Sequence, residues 1–499
     1  MSQAVRARPG ALGWAGIAAL GAGVGGAVAL GGRFLAAAGA AVLLVAIIAV
    51  LLNVRTPARP GAIAIEIPAV LLLVSNLVFR IRETNAIASN PLDAAGIFRT
   101  VCLGLGSMLC VAGLLMAQLG GGLLALRRAR PLWTYLAYVA VAYLGIVKSV
   151  YPLLTAFRAV NLTAVVLVVL TAFFVGGEEG LERLEKVIFW FIVAHLSTAW
   201  LGALVAPAQA IRSASPFPFR IEGVFPALSS DRIGEYGVIL FMWCYAARNG
   251  IVRDRVVPSR AVSLLVMGFG IASLLAAQYR TGYVMMGIGI LLILAIRGRA
   301  VLAGVLASLG VFIIVFGQTL FAPLLSLLLR GQSVSLASKL SGRNTIWSAA
   351  IPVWRKSPII GSGLETASRF EVLASIGRGF TGTVHGTWIE ALIGTGIVGT
   401  ILLAATVVMF LVRAYAMALR THRLAPILVG AAMVVRSITG TSFETFGLES
   451  ILFLTLVMAV RKPQLVRVPG DRRRWRLRQD DDGPVPARPS GDVPVGANA

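Results

Sequence analysis

The sequence predicts an all-α polytopic membrane protein of about 12 to 14 transmembrane helices, and three observations predict it. Of 499 residues, 58% are hydrophobic and 13% charged. The mean hydropathy is +0.85, far outside the range of soluble globular domains. Apolar stretches near the bilayer-spanning length of about 20 residues recur as far as position 461, leaving no soluble domain of useful size.

Taken in order, the first stretch is ALGWAGIAALGAGVGGAVAL behind Arg6 and Arg8. It has the flanks of a signal peptide, yet it is long and a second span follows directly, so it reads as a retained helix after a cytoplasmic N-terminus, 1–10. Helices are expected near 11–30, 34–53, 61–79, 98–120, 132–147, 159–175, 187–206, 233–247, 261–278, 281–296, 300–320, 387–412, 424–443 and 448–460. Short spans such as 233–247 could instead be tilted or re-entrant, which gives the lower count. The membrane domain thus covers 11–461, and its widest polar interruption is 330–384.

Within that interruption, SGRNTIWSAAIPVWRKSP sets Ile346, Trp347, Ile351 and Trp354 near helical spacing against polar and basic residues. This is the pattern of a short interfacial amphipathic helix, which Pro358 and the glycines of IIGSGLE then end. The tail, 462–499, carries RRRWRLR, an acidic triplet and a Pro-, Gly- and Ala-rich end. Such a segment cannot bury a core, so it is expected to be disordered and to touch anionic lipid headgroups.

The net charge of +24 belongs to topology rather than to a nucleic-acid partner, because the basic residues are spread over loops between spans. Arg127, Arg128 and Arg130 share one loop, Arg248, Arg253, Arg255 and Arg260 another, and Arg413, Arg420 and Arg423 a third. The positive-inside rule makes these loops and both termini cytoplasmic and sends 330–384 to the extracytoplasmic side. Cys102, Cys110 and Cys244 lie in apolar stretches without paired spacing and read as packing residues.

Four features fall on the outward side of that topology. FRIEGVFPALSSDRIGEYG places Arg220, Glu222, Asp231 and Arg232 between two helices, and QYRTGY places Arg280 between two apolar runs with almost no loop. A charge inside a membrane helix costs about 2.5 to 3.5 kcal/mol on insertion scales, so Arg280 either lines a polar site or snorkels to the headgroups. Ser341 and Arg343 stand at the start of the amphipathic helix. In GTVHGTWIEALIGTGIVGT, His385 precedes a membrane helix that carries Glu390 one turn in, able to orient the imidazole or to pair with an arginine. The glycines at 394, 396 and 399 read as close helix packing.

These residue types suit one chemistry. The guanidinium is permanently charged and bonds two oxygens of a pyrophosphate at once, and an imidazole exchanges a proton near neutral pH, as activation of a sugar hydroxyl requires.

The segment GRNTIWSAAIPVWRKSPIIGSGLE, followed by VHGTWIEALIGTGIVGT, resembles the O-antigen ligase and polymerase family in order and spacing. That family's pattern is Gly-Arg, a tryptophan helix, a Pro and Gly-x-Gly turn, then His-Asn-x-aromatic-Leu entering a Gly-rich helix. QYRTGY and RIEGVF look like its two earlier arginine elements, and the likeness covers about 200–420. Gly386 stands where the family has asparagine, and Tyr279 where it has serine.

The resemblance implies a C-type glycosyltransferase-like fold, with one longer extracytoplasmic loop, in the bacterial inner membrane. It implies transfer of a glycan from undecaprenyl pyrophosphate to a glycan or lipid acceptor hydroxyl, without nucleotide sugar, cofactor or metal. Arg220 and Arg280 would hold the pyrophosphate, His385 would activate the acceptor, and Arg343 would support the loop or donor. Glu222, Arg232 and Glu390 complete the set expected to bind substrate.

Ligase and polymerase are not separated by these residues. The competing reading is a transporter or flippase for an anionic or lipid-linked substrate, which should show broken helices in matching positions of two halves. A catalytically silent scaffold of polysaccharide assembly is a third, hinted at by Gly386.

Overall fold

The computed structural model describes residues 60–77, 94–118, 129–214, 217–224, 227–250, 256–257, 259–309, 343–377, 384–460, 465–467 and 475–477. The helices expected at 11–30 and 34–53, and Ser341, lie outside the described residues. The described chain is mostly helical. Two units are distinguished, 1–460 and 461–499.

In the first unit the long helices are α1 Pro60–Leu77, α2 Ala94–Gln118, α3 Trp133–Leu144 and α4 Pro152–Val205. After a two-stranded hairpin, β1 Ile211–Ala214 with β2 Phe217–Ile221, come α5 Ser230–Asn249, α6 Arg260–Ala277 and α7 Arg280–Ile296. Then follow α8 Arg343–Lys356, a π-helical turn Ala367–Leu373, α9 Thr387–Thr421, α10 Ala425–Thr439 and α11 Leu448–Ala459. In the second unit, β3 Leu465–Arg467 pairs antiparallel with β4 Trp475–Leu477, strands that the tail's composition does not announce.

Two expected loops turn out otherwise. The polar run GGEEGLERLEK, expected to separate two spans, stays helical within α4, and the chain breaks only at Gly177, whose φ of 58° favours glycine. The segment before α5, expected as a plain loop, holds the β1–β2 hairpin. Its alternating FPFRI could not outweigh the hydropathy of its neighbours in a reading tuned to spans.

Among the described residues five helices are long and apolar enough to cross a membrane: Gly96–Ala117, Arg130–Lys148, Pro152–Val205, Arg260–Ala277 and Thr387–Thr421. Their outer faces expose Met108, Leu115, Leu153, Leu204, Leu265 and Val412, the surface that hydrocarbon covers in a polytopic membrane protein. The 20-residue α5 is not one of the five. It carries Asp231, Arg232, Glu235 and Arg248, and its neighbours α4, α6, α7 and α10 bury it instead.

Helix α9 breaks at Gly396, where φ 65° and ψ −169° form a combination essentially restricted to glycine. The backbone groups around this break are bonded by the loop that follows α8. Ile397 N–H donates to Pro358 O at 2.8 Å and Val398 N–H to Ile359 O at 3.3 Å, while Ser362 N–H donates to Ile393 O at 2.9 Å. A Cβ at Gly396 would strike the Ile359 carbonyl, and one at Gly361 the Gly394 carbonyl. Of the glycines expected to pack helix on helix, Gly394 and Gly396 therefore seat a loop in a broken helix, and Gly399 lies against Thr395 of its own helix. Gly396→Ala combines backbone strain with overpacking and should destabilise by about 3 kcal/mol. Thermal unfolding in detergent checks this, and an unshifted melting temperature would contradict the seat.

Candidate functional site

Five helix ends meet at one end of the bundle. Helix α5 starts there at Ser230, α7 at Arg280 and α9 at Thr387, while α6 ends at Ala277 and α10 at Thr439. Thr281 Oγ1 lies 3.1 Å from Thr439 Oγ1, and Thr387 donates from both its N–H and its hydroxyl to Gly440 O at 3.1 and 3.0 Å. Arg220, on β2, reaches this end by donating to Asp231 Oδ1 at 3.1 Å, and its own Nε is buried without a partner. Arg220 lies within electrostatic reach of Arg280 at the first position of α7.

Arg343 opens α8 within electrostatic reach of Asp231, Arg436 and Tyr279. Burial pulls its guanidinium below the usual arginine value, with Asp231 opposing and Arg436 adding to the shift. Asp231 thus pairs with Arg220 and lies within electrostatic reach of Arg343, while Arg280 lies within reach of Arg220.

Trp347 lies one turn beyond Arg343 and donates from Nε1 to Val384 O at 3.1 Å, which fixes the residue before His385. The buried face of α8 is Ile346, Ala350 and Val353, packed on Ala367, Val372, Leu373, Val384 and Ile393. Ile351, expected on the apolar face, is exposed. The helix therefore docks on protein through a register shifted from the expected one. His385 itself has φ 54°, a left-handed backbone that costs a non-glycine residue energy unless its neighbours hold it. They do, through Val384 on one side and Thr387 on the other.

The remaining expected residues divide. Arg232 is drawn into a buried network: it pairs with Glu449 and, at 3.2 Å, with Glu235, which also accepts from Arg436 Nε at 3.0 Å. Two arginines and two glutamates balance there, so Arg232 ties α5 to α10 and α11 behind the site. Glu222 pairs with Arg212 at 2.9 Å on the hairpin. Glu390 is fully buried and accepts from Ser368 Oγ at 2.7 Å, which joins the first turn of α9 to the π-helical turn.

Residues missed by sequence reading include Arg436, Tyr279 and Glu444. The Arg436 guanidinium lies 5.7 Å from the Tyr279 ring centroid, a cation–π arrangement that gives the tyrosine before Arg280 a role in place of the family's serine. Arg436 was visible as a lone charge in AAMVVRSIT, an intramembrane cost that signals a partner. Glu444, in the connector between α10 and α11, accepts from Ser442 N–H at 2.9 Å, and burial raises its carboxyl to about 7.

Because the folded protein holds the Glu444 proton more tightly than an ordinary carboxyl of 4.5, the stability it contributes is present below pH 4.5 and is lost as pH rises to 7. At 1.36 kcal/mol per unit the loss is on the order of 3 kcal/mol. Melting curves from pH 5 to 8 should fall more steeply for wild type than for Glu444→Gln. Parallel curves would show that Glu444 does not titrate in that range. Among the described residues no group of His, Cys, Asp and Glu is placed to hold a metal ion.

Residues 264–404 match the family model described as O-antigen ligase. This segment belongs to the O-antigen ligase family. The O-antigen ligase segment contains Arg280, Arg343, His385 and Glu390, and it runs from α6 past the break in α9. Arg220 and Asp231 reach the same place from outside it. No curated protein matches the chain significantly. The O-antigen ligase match is confined to 264–404, and the apolar helices on either side of it fit a polytopic membrane protein.

Proposed function

We propose that the protein transfers a glycan from a polyprenyl (undecaprenyl) pyrophosphate to an acceptor hydroxyl at the extracytoplasmic face of the inner membrane, in a C-type glycosyltransferase-like architecture. The observation that carries this reading is the grouping of Arg220, Arg343 and Asp231 with Arg280 in reach of Arg220, and with His385 tied to the helix of Arg343 through Trp347 and Val384.

In this reading the arginines bind the pyrophosphate. The acceptor oxygen attacks the anomeric carbon as the bond to the phosphate oxygen breaks, and the departing electron pair stays on the pyrophosphate, where the guanidinium groups neutralise it. The proton of the acceptor hydroxyl passes to the His385 imidazole. Supporting the lipid donor, an apolar cavity of about 300 Å³, lined by Trp200, Phe219, Leu275, Ala276 and Tyr283 among others, adjoins Arg220 and Arg280 in sequence and suits a prenyl chain.

Purified protein reconstituted with a lipid pyrophosphate-linked oligosaccharide and candidate acceptors should give product without nucleotide sugar or added metal. Absence of product with every acceptor, together with movement of the donor across the bilayer, would favour the transporter reading.

A further inference from the structure

The same end of the bundle holds a second arginine pair. Arg99 stands in the second turn of α2 and Arg158 in the second turn of α4. These helices run parallel and level, since Thr171 Oγ1 donates to Cys110 O at 3.1 Å and a Cβ at Gly113 would meet the Thr171 side chain at 3.1 Å. Arg158 pairs with Glu365 at 3.0 Å, and Arg99 lies within electrostatic reach of both. The Arg99 guanidinium sits 5.8 Å from the Phe446 ring centroid, and the Nε atoms of both arginines are buried without a hydrogen-bond partner.

Two neighbouring half-buried cations, their Nε atoms shut from solvent, thus have one carboxylate within reach, beside the hydroxyls of Ser149, Thr155 and Thr366, which lie 2.6 to 3.2 Å from one another. Two like charges set together at a membrane helix end, partly withdrawn from water, suit an anion.

The stretch 384–390 links the two arginine groups. On one side Trp347, on the helix of Arg343, bonds Val384; on the other Ser368, three residues after Glu365, bonds Glu390. A transfer reaction needs two substrates flanking its base. Resting on the donor assignment above, we infer that Arg99 and Arg158 bind the phosphate or pyrophosphate of a second lipid, the acceptor.

The test counts undecaprenyl pyrophosphate molecules bound to the full chain in uncharged nanodiscs by native mass spectrometry. Wild type is expected to bind two, and Arg99→Gln/Arg158→Gln one, that one showing the protein to be folded. Arg220→Gln/Arg280→Gln should also retain one. If the glutamine pair does not fold, Arg99→Lys/Arg158→Lys, which keeps charge but loses the bidentate fork, should weaken the second equivalent about 10-fold and leave the first unchanged.

Two equivalents in the glutamine variant, an unweakened second equivalent in the lysine variant, or only one equivalent in wild type would overturn the inference. Inorganic pyrophosphate at equal concentration should not displace the second lipid. Phosphatidylglycerol that occupies the pair and resists displacement by undecaprenyl pyrophosphate would make it a structural-lipid site and overturn the acceptor assignment. Failure of the donor reading is separate: both equivalents would then survive loss of Arg220 and Arg280.

Discussion

Arg280→Ala is expected to reduce glycan transfer about 1,000-fold while the protein remains in the membrane at wild-type abundance. Arg280 sits at the first position of α7, where the helix N-terminus already favours an anion, and Arg220 adds its charge from β2. A pyrophosphate leaving group must gain negative charge as its bond to the sugar breaks, so cations placed there act more on the transition state than on the bound donor. The loss should therefore appear mainly in kcat. Arg280→Lys keeps the charge but not the planar fork and should remain impaired about 10-fold or more. A fully active lysine variant would reduce the residue to a point charge, and an active alanine variant would remove it from the site.

His385→Ala is expected to cost about 1,000-fold in transfer, within the range for loss of a general base, with donor binding unchanged. Its left-handed backbone is held by Trp347 through Val384 and by Gly440 through Thr387, so the imidazole is placed by packing rather than by a flexible loop. Alanine tolerates that conformation less well than glycine. His385→Gly therefore separates the two causes: loss of the base predicts equal inactivity in both variants, whereas recovery with glycine would show that only the turn matters. Donor binding, measured with the same lipid pyrophosphate, should survive both changes.

Much of the fold was legible because hydropathy alone reports a helix in lipid. The expected spans near 98–120, 261–278, 281–296 and 448–460 correspond to α2, α6, α7 and α11. The α8 helix was also legible, from its tryptophans and the proline and glycines after it, though not the register of its buried face. Arg280 stood out because an arginine between two apolar runs has nowhere cheap to go.

What stayed hidden depends on partners distant in the chain. The Arg232–Glu449 and Arg436–Glu235 pairs join residues separated by 217 and 201 positions, and no spacing rule connects them. Arg232 accordingly looked like a ligand residue when read beside Arg220, although its carboxylates occupy it. Likewise, nothing local in PIIGSG shows that the Pro358 and Ile359 carbonyls accept from Ile397 and Val398, 39 residues on, beside the break in a helix. The arginines of α2 and α4 drew no notice in the sequence, because Arg99 and Arg158 stand 59 positions apart and only the parallel alignment of their helices brings them together.

Labelling of single cysteines with a membrane-impermeant thiol reagent, added outside intact cells, tests most directly whether the arginines and His385 face a lipid carrier on the outer side. Cys102, Cys110 and Cys244 are buried and can first be replaced. Cysteines at the exposed positions Phe219 and Thr345, beside the site, should label, and those at Gly298, just past the opposite end of α7, and Arg420, in the last turn of α9, should not. Labelling at 298 and 420 with protection at 219 and 345 would turn the site toward the cytoplasm and contradict the account.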